Sequence, residues 1–204
     1  MKYPFFASFL IFLLVVRHAI RRNRRVSEVS EKNFWDRESQ ANSTRRKPLD
    51  DLDYVRVPVE DLPIRVLTED ETVSDCIREL QELSQQKIVN LTGYTNTDLK
   101  LKYGAPNITL LAEYDANYTH LVQLLQKWAD RLWELGEQSA AVRIMEYEVG
   151  IRADVGSAYR KLALWYRKNG TPERIEAELI PVAQNLRTAS KESILRSLRE
   201  EALP

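Results

Sequence analysis

The sequence predicts an all-α protein: an N-terminal transmembrane helix, then a short array of antiparallel helical hairpins. Three observations lead there. Apolar side chains recur at three- and four-residue spacing through most of residues 69–202, which is the period of a helix face turned toward a core. Residues 122–187 align with themselves at an offset of thirty-four. Fourteen uncharged residues, Tyr3 to Val16, run directly into a cluster of arginines.

As a helix the uncharged run covers about 21 Å, short of a hydrocarbon core of about 30 Å. Extension to Ile20 lengthens it, with Arg17 and His18 reaching back to the headgroups. Lys2 alone precedes the run, whereas Arg17, Arg21, Arg22, Arg24 and Arg25 follow it. A cleaved signal peptide has the opposite arrangement, so residues 1–20 are expected to be an uncleaved anchor. Positive charge tends to stay on the cytoplasmic side of a span. The expectation is a single-pass cell-membrane protein with its N-terminus outside and its C-terminal domain in the cytoplasm. These membrane-proximal arginines would also attract anionic lipid, at about 1 kcal/mol each near the surface.

Residues 1–47 hold 11 Lys/Arg against 4 Asp/Glu, and the rest hold 19 against 26. A basic arm therefore precedes a mildly acidic body, and nucleic acid is not an expected partner. The lone Cys76 excludes an intrachain disulfide, and with His18 and His120 it is too little for a soft-metal cluster. No metal or other cofactor is expected. Neither a Walker loop nor GxGxxG, HExxH or GxSxG occurs, and an enzyme is not expected.

Residues 21–63 are predicted to be a linker, basic and then proline-containing. "VSEVSEKNFWDRESQA" has no Pro or Gly and allows a helix to continue out of the membrane. Phe34 and Trp35 within it suit the membrane interface or the body, the alternative being a docking peptide. "PLDDLDYVRVPVEDLP" alternates apolar and acidic residues around prolines 48, 58 and 63, which predicts an extended strap against the body.

Residues 64–204 form the predicted helical domain. Val73, Cys76, Ile77, Leu80 and Leu83 mark one helix face, which makes Cys76 a buried structural thiol. Residues 90–120 concentrate Asn, Thr and Tyr and break the period. If a special site exists it is expected there, although Asp98, Glu113 and Asp115 are better suited to capping and solvation than to catalysis. A second helix carries Leu121, Leu124, Leu125, Trp128, Leu132 and Leu135 and stops at Gly136. Further helices are predicted over 138–151, 155–168, 172–187 and 190–202. Thr171 should cap the third of these, and Pro181 should bend or split it. Asn42, Asn90, Asn107 and Asn117 each begin an Asn-x-Ser/Thr triplet. In a cytoplasmic body these mark turns and helix starts.

The offset of thirty-four pairs Leu125 with Tyr159, Trp128 with Leu162, Ala129 with Ala163, Leu132 with Tyr166, Gly136 with Gly170 and Met145 with Leu179. In period and pattern this resembles the tetratricopeptide repeat. Ala141 fits the usual small position; Ile175 and Glu148 depart from the pattern, and the closing proline is absent from both units. The strings "FWDRESQANSTRRKPLDDLDY" and "NLTGYTNTDLKLKYGAPNITLLAEYD" are also similar to a family of single-pass membrane proteins of clostridial bacteria with helical-repeat bodies. The repeat resemblance implies a groove lined by the first helix of each pair, receiving a protein partner. Its polar positions would be Gln123, Lys127, Asp130 and Arg131 in one unit and Arg160, Lys161, Arg167 and Lys168 in the other. The function this implies is a membrane-anchored cytoplasmic adaptor or scaffold. The alternatives are a cell-envelope protein with its body outside the membrane, or an enzyme using residues 90–120.

Overall fold

The computed structural model describes residues 31–202, together with 12, 16 and 17. The expected span thus lies outside the described residues except for Phe12, Val16 and Arg17. Among the described residues no helix is long and apolar enough to cross a membrane. Arg21, Arg22, Arg24 and Arg25 also lie outside them.

The described chain is helical, with one isolated antiparallel bridge, Tyr54 to Val89. It divides into two compact units, residues 1–48 with 95–108 and residues 49–94 with 109–204. Residues 31–43 are already helical (α1) and find partners in a segment sixty residues later.

In the first unit α1 is joined to α3, Asn96–Tyr103. Arg37 pairs with Asp98 at 2.6 Å, Lys100 reaches Glu38 at 3.2 Å and Asn42 at 2.8 Å, and the Thr97 hydroxyl donates to Glu38. Thr95 and Asp98 form a reciprocal capping box at the start of α3, so two orphan N–H groups are satisfied by side chains. Beyond it, residues 44–48 run beside 103–107. The Lys47 N–H donates to the Tyr103 carbonyl at 3.0 Å, and the Ala105 N–H to that of Thr44 at 3.1 Å. Asn107, fully buried, closes this pairing.

In the second unit α2 (Glu71–Leu83), α4 (Ile108–Glu134), α5 (Gln138–Gly150), α6 (Gly156–Lys168), α7 (Ile180–Gln184) and α8 (Lys191–Ala202) share one core. The five apolar residues predicted for the first helix are the buried residues of α2. Cys76 is fully buried, and burial raises its thiol pKa. The strap lies on this unit: the Tyr147 hydroxyl donates to the Arg56 carbonyl at 3.0 Å, Arg143 donates to the Asp61 carbonyl, and the Val55 N–H donates to Ile88 at 2.9 Å.

Two helix pairs follow one another. At the end of α4, Gly136 (φ +89°) donates to the Trp133 carbonyl and Glu137 to that of Leu132; at the end of α6, Gly170 (φ +73°) donates to Arg167 and Thr171 to Tyr166. Each is a Schellman turn, in which the residue after the helix adopts a left-handed conformation that glycine accepts without a Cβ penalty. The two turns coincide at an offset of thirty-four, and all the apolar residues paired at that offset are buried.

Two expectations differ from the structure. Residues 90–120 are largely helical, comprising α3, a 3-10 turn over Ala105–Asn107 and the first half of α4. Tyr114 and Tyr118 share the buried face of α4 with Leu111 and Leu121, so their rings act as apolar groups and complete the period. Thr171 does not cap: its hydroxyl donates back to the Tyr166 carbonyl at 3.3 Å. Of the two outcomes expected at Pro181, a split does not occur. A π-helical turn over Ile175–Leu179 leads into α7, and the widened turn gives room to a ring that has no N–H to donate.

Glu148 is the most unusual core residue. Its side chain is fully buried and neither carboxylate oxygen has a hydrogen-bond partner; Trp128 Nε1 and the Tyr159 hydroxyl are likewise buried and unpartnered. Burial pushes its carboxyl pKa up to about 8, with Asp130 adding to the rise and Lys161 opposing it.

Candidate functional site

α4 and α6 lie side by side. Lys161 pairs with Asp130 at 2.6 Å, Ser157 donates to Gln126 at 3.4 Å, and Trp133 meets Trp165 edge to face with ring centroids 6.2 Å apart. Lys161 Nζ also stands 5.6 Å from the Trp133 ring centre, within cation–π range. Both indoles are half-buried, and Leu164 beside them is 48% exposed.

The sequence-predicted binding residues separate into two groups. Arg131 is committed to Asp70 at 2.6 Å, Lys161 to Asp130, and Arg167 to Glu201 at 2.6 Å. These three tie separate parts of the second unit together through ion pairs that stay partly exposed. Their partners lie thirty-one to sixty-one residues away, beyond the reach of spacing rules. Gln123, Lys127, Arg160 and Lys168 are exposed, and their side chains make no ion pair or hydrogen bond among the described residues. Trp133, Trp165 and Leu164 were not legible as site residues, because the two tryptophans are thirty-two apart and fall out of the thirty-four-residue frame.

A second feature comes from loops. Residues 53–56 of the strap, Asn90 and Thr92, the end of α5 at 150–152 and the end of α7 at 185–188 surround a cleft of about 250 Å³. Arg56, Arg152 and Arg187 line it against a single acid, Asp53. Arg152 has φ +63°, uncommon for a residue with a side chain, and pairs with Asp53 at 2.8 Å. The Arg187 guanidinium sits over the Tyr94 ring, 5.0 Å from its centre.

Within residues 90–120 the three acids imagined as a site are occupied otherwise or apart. Asp98 caps α3 and holds Arg37, Asp115 accepts the Leu91 N–H at 3.0 Å, and Glu113 is exposed on α4. Asn90 belongs to the arginine cleft, where its Oδ1 accepts the Thr92 N–H at 3.0 Å.

No protein-family model, curated protein or solved structure matches the chain.

Proposed function

We propose that the chain is a membrane-anchored adaptor whose helical array binds an acidic segment of a protein partner on the α4–α6 face, in the cytoplasm. The observation that carries this is the side-by-side placement of α4 and α6. It joins two helices that carry the unpaired, exposed Lys127, Arg160 and Lys168, a half-buried Trp133–Trp165 pair and an exposed Leu164. Tryptophan anchors ringed by charge are what protein-binding hot spots are made of, and the unpaired cations fix the sign of the partner. The two Schellman turns thirty-four residues apart support a tetratricopeptide-like array. The arginines that follow the opening apolar run support the anchor and its orientation.

The test uses the full chain, extracted in detergent, as bait. A specific partner retained by the wild type and by a substitution of the exposed Arg196 on α8, Arg196→Glu, and lost with Lys127→Glu/Arg160→Glu, is the expected result. A partner indifferent to both, or none from soluble and membrane extracts alike, overturns the adaptor. Protease added to intact cells should leave the body whole; its digestion would place the body outside the membrane.

A further inference from the structure

We propose that the arginine-lined cleft of the second unit binds a phosphomonoester. This site is separate from the α4–α6 face and does not depend on it.

The charge of the cleft runs against its surroundings. Residues 48–204 carry 19 basic and 26 acidic side chains, yet four chain segments converge to bring three arginines and one aspartate to one opening. Asp53 is taken by Arg152. Arg56 and Arg187 have no carboxylate partner among the described residues. Like charges gathered in a concave site repel one another, and an anion relieves that repulsion. The two unbalanced positive charges match a phosphomonoester, about −1.5 to −2 at neutral pH, better than a single carboxylate. Guanidinium is also the group whose planar donors fit phosphate oxygens in pairs.

The cleft is built, not incidental. Arg187 is fixed by its stack on Tyr94 and by the close passage of Gly93. A Cβ on Gly93, at φ +86°, would lie 2.6 Å from the Arg187 Cβ, so the absence of a side chain there lets Arg187 take its place. The neutral side chains brace the wall: Asn185 donates to the Pro181 carbonyl at 2.8 Å, the Thr188 and Ser190 hydroxyls are 2.7 Å apart, and Asn90 reaches the Arg152 carbonyl at 3.5 Å. The guanidiniums of Arg56 and Arg187 are left as the free donors. A volume of about 250 Å³ suits a phosphoryl group with a few attached carbons, below the usual range of drug-sized ligand pockets. A soluble phosphomonoester and the headgroup of phosphatidic acid present this same chemistry.

The experiment titrates the full chain in detergent micelles with glycerol phosphate by calorimetry, with glycerol and acetate as controls. Saturable binding of glycerol phosphate, none of glycerol and weaker binding of acetate are expected. Arg56→Gln/Arg187→Gln should weaken glycerol phosphate binding about ten-fold or more in a protein that still unfolds in a single cooperative transition. Asp53→Asn, which removes the competing carboxylate, should strengthen it. No saturable binding, or affinity unchanged in the double variant, overturns the site. If the double variant does not fold, unchanged or weakened binding by Asp53→Asn does so. In nanodiscs, phosphatidic acid that weakens glycerol phosphate binding relative to phosphatidylcholine assigns the headgroup as the source; no such competition assigns the soluble ester.

Discussion

Arg131 on α4 holds Asp70 through two nitrogens, Nη2 at 2.6 Å from Oδ2 and Nε at 3.2 Å from both oxygens. The same carboxylate accepts the Val73 N–H at 3.1 Å and so caps α2. One side chain thus starts a helix and ties it to its neighbour. The Arg131 hydrogen bonds, more than any other influence, hold the Asp70 carboxyl below its ordinary range.

Asp70→Ala removes both roles, while Asp70→Asn keeps a side-chain oxygen for the cap and loses the ion pair. The melting temperature should therefore fall in the order wild type, Asp70→Asn, Asp70→Ala; equal losses for the two variants would show that the cap contributes nothing. Because the folded-state pKa is depressed, the stabilisation is present above the ordinary value of 3.8 and is lost as pH falls through the folded-state value. Asp70→Ala should accordingly show a shallower loss of stability on acidification.

Gly136 and Gly170 occupy the same position of two equivalent turns, and a Cβ at either would meet no atom within 4 Å. The cost of alanine there is conformational alone, about 1–2 kcal/mol at each site. Urea unfolding should give similar losses for Gly136→Ala and Gly170→Ala. Gly93→Ala, at a comparable φ but against Arg187, should cost distinctly more. A loss at Gly93 no larger than at the other two would show that Arg187 yields freely, which would also weaken the case for a fixed guanidinium in the cleft.

The parts of the fold legible in the sequence are those set by local backbone and burial. The buried face of α2, the glycine stops and the positions paired at thirty-four each depend on a residue's own helix and turn. Residues 90–120 were misread because tyrosine and asparagine carry either polar or apolar meaning: Tyr114 and Tyr118 bury their rings, and Asn107 buries its amide. The ion-pair partners of Arg131, Lys161 and Arg167 were not legible because a cation at a groove position looks the same whether or not a carboxylate from another helix reaches it. The arginine cleft was illegible because Arg56, Arg152 and Arg187 come from three separate segments and no motif joins them.

Asn107 fastens the first unit. Its Nδ2 donates to the Lys47 and Tyr103 carbonyls, both at 2.8 Å, and its Oδ1 accepts from Arg46 Nε at 2.9 Å. With its amide fully buried, the side chain has every partner within the protein. Asn107→Ala should cost about 1–3 kcal/mol by leaving the Lys47 and Tyr103 carbonyls and the Arg46 guanidinium without this partner, and Asn107→Asp should be no better, since a carboxylate cannot donate. Hydrogen exchange at the Lys47 amide reads the effect directly: faster exchange is expected in both variants, and unchanged protection would show that the backbone pairing of 44–48 stands without this side chain.

Glu148 stands where the repeat pattern has a small residue, and it is buried without partners. With its pKa raised from 4.5 to about 8, it is neutral in the folded protein at neutral pH, whereas the unfolded chain releases the proton. The folded state therefore binds more protons between these values, and stability falls as pH rises, by about 1.4 kcal/mol per pH unit for one such group. Below the unfolded value the penalty vanishes. Glu148→Gln keeps the shape and removes the titration, so its unfolding free energy should lose most of this slope across that window and exceed that of the wild type at its upper end. Glu148→Ala relieves the buried carboxyl but leaves a cavity, so it should share the flattened slope without the gain. A wild-type protein whose stability is level between pH 4.5 and 8 would mean that the carboxylate finds compensation on ionising, with Lys161, the cation that already opposes its rise, as the source.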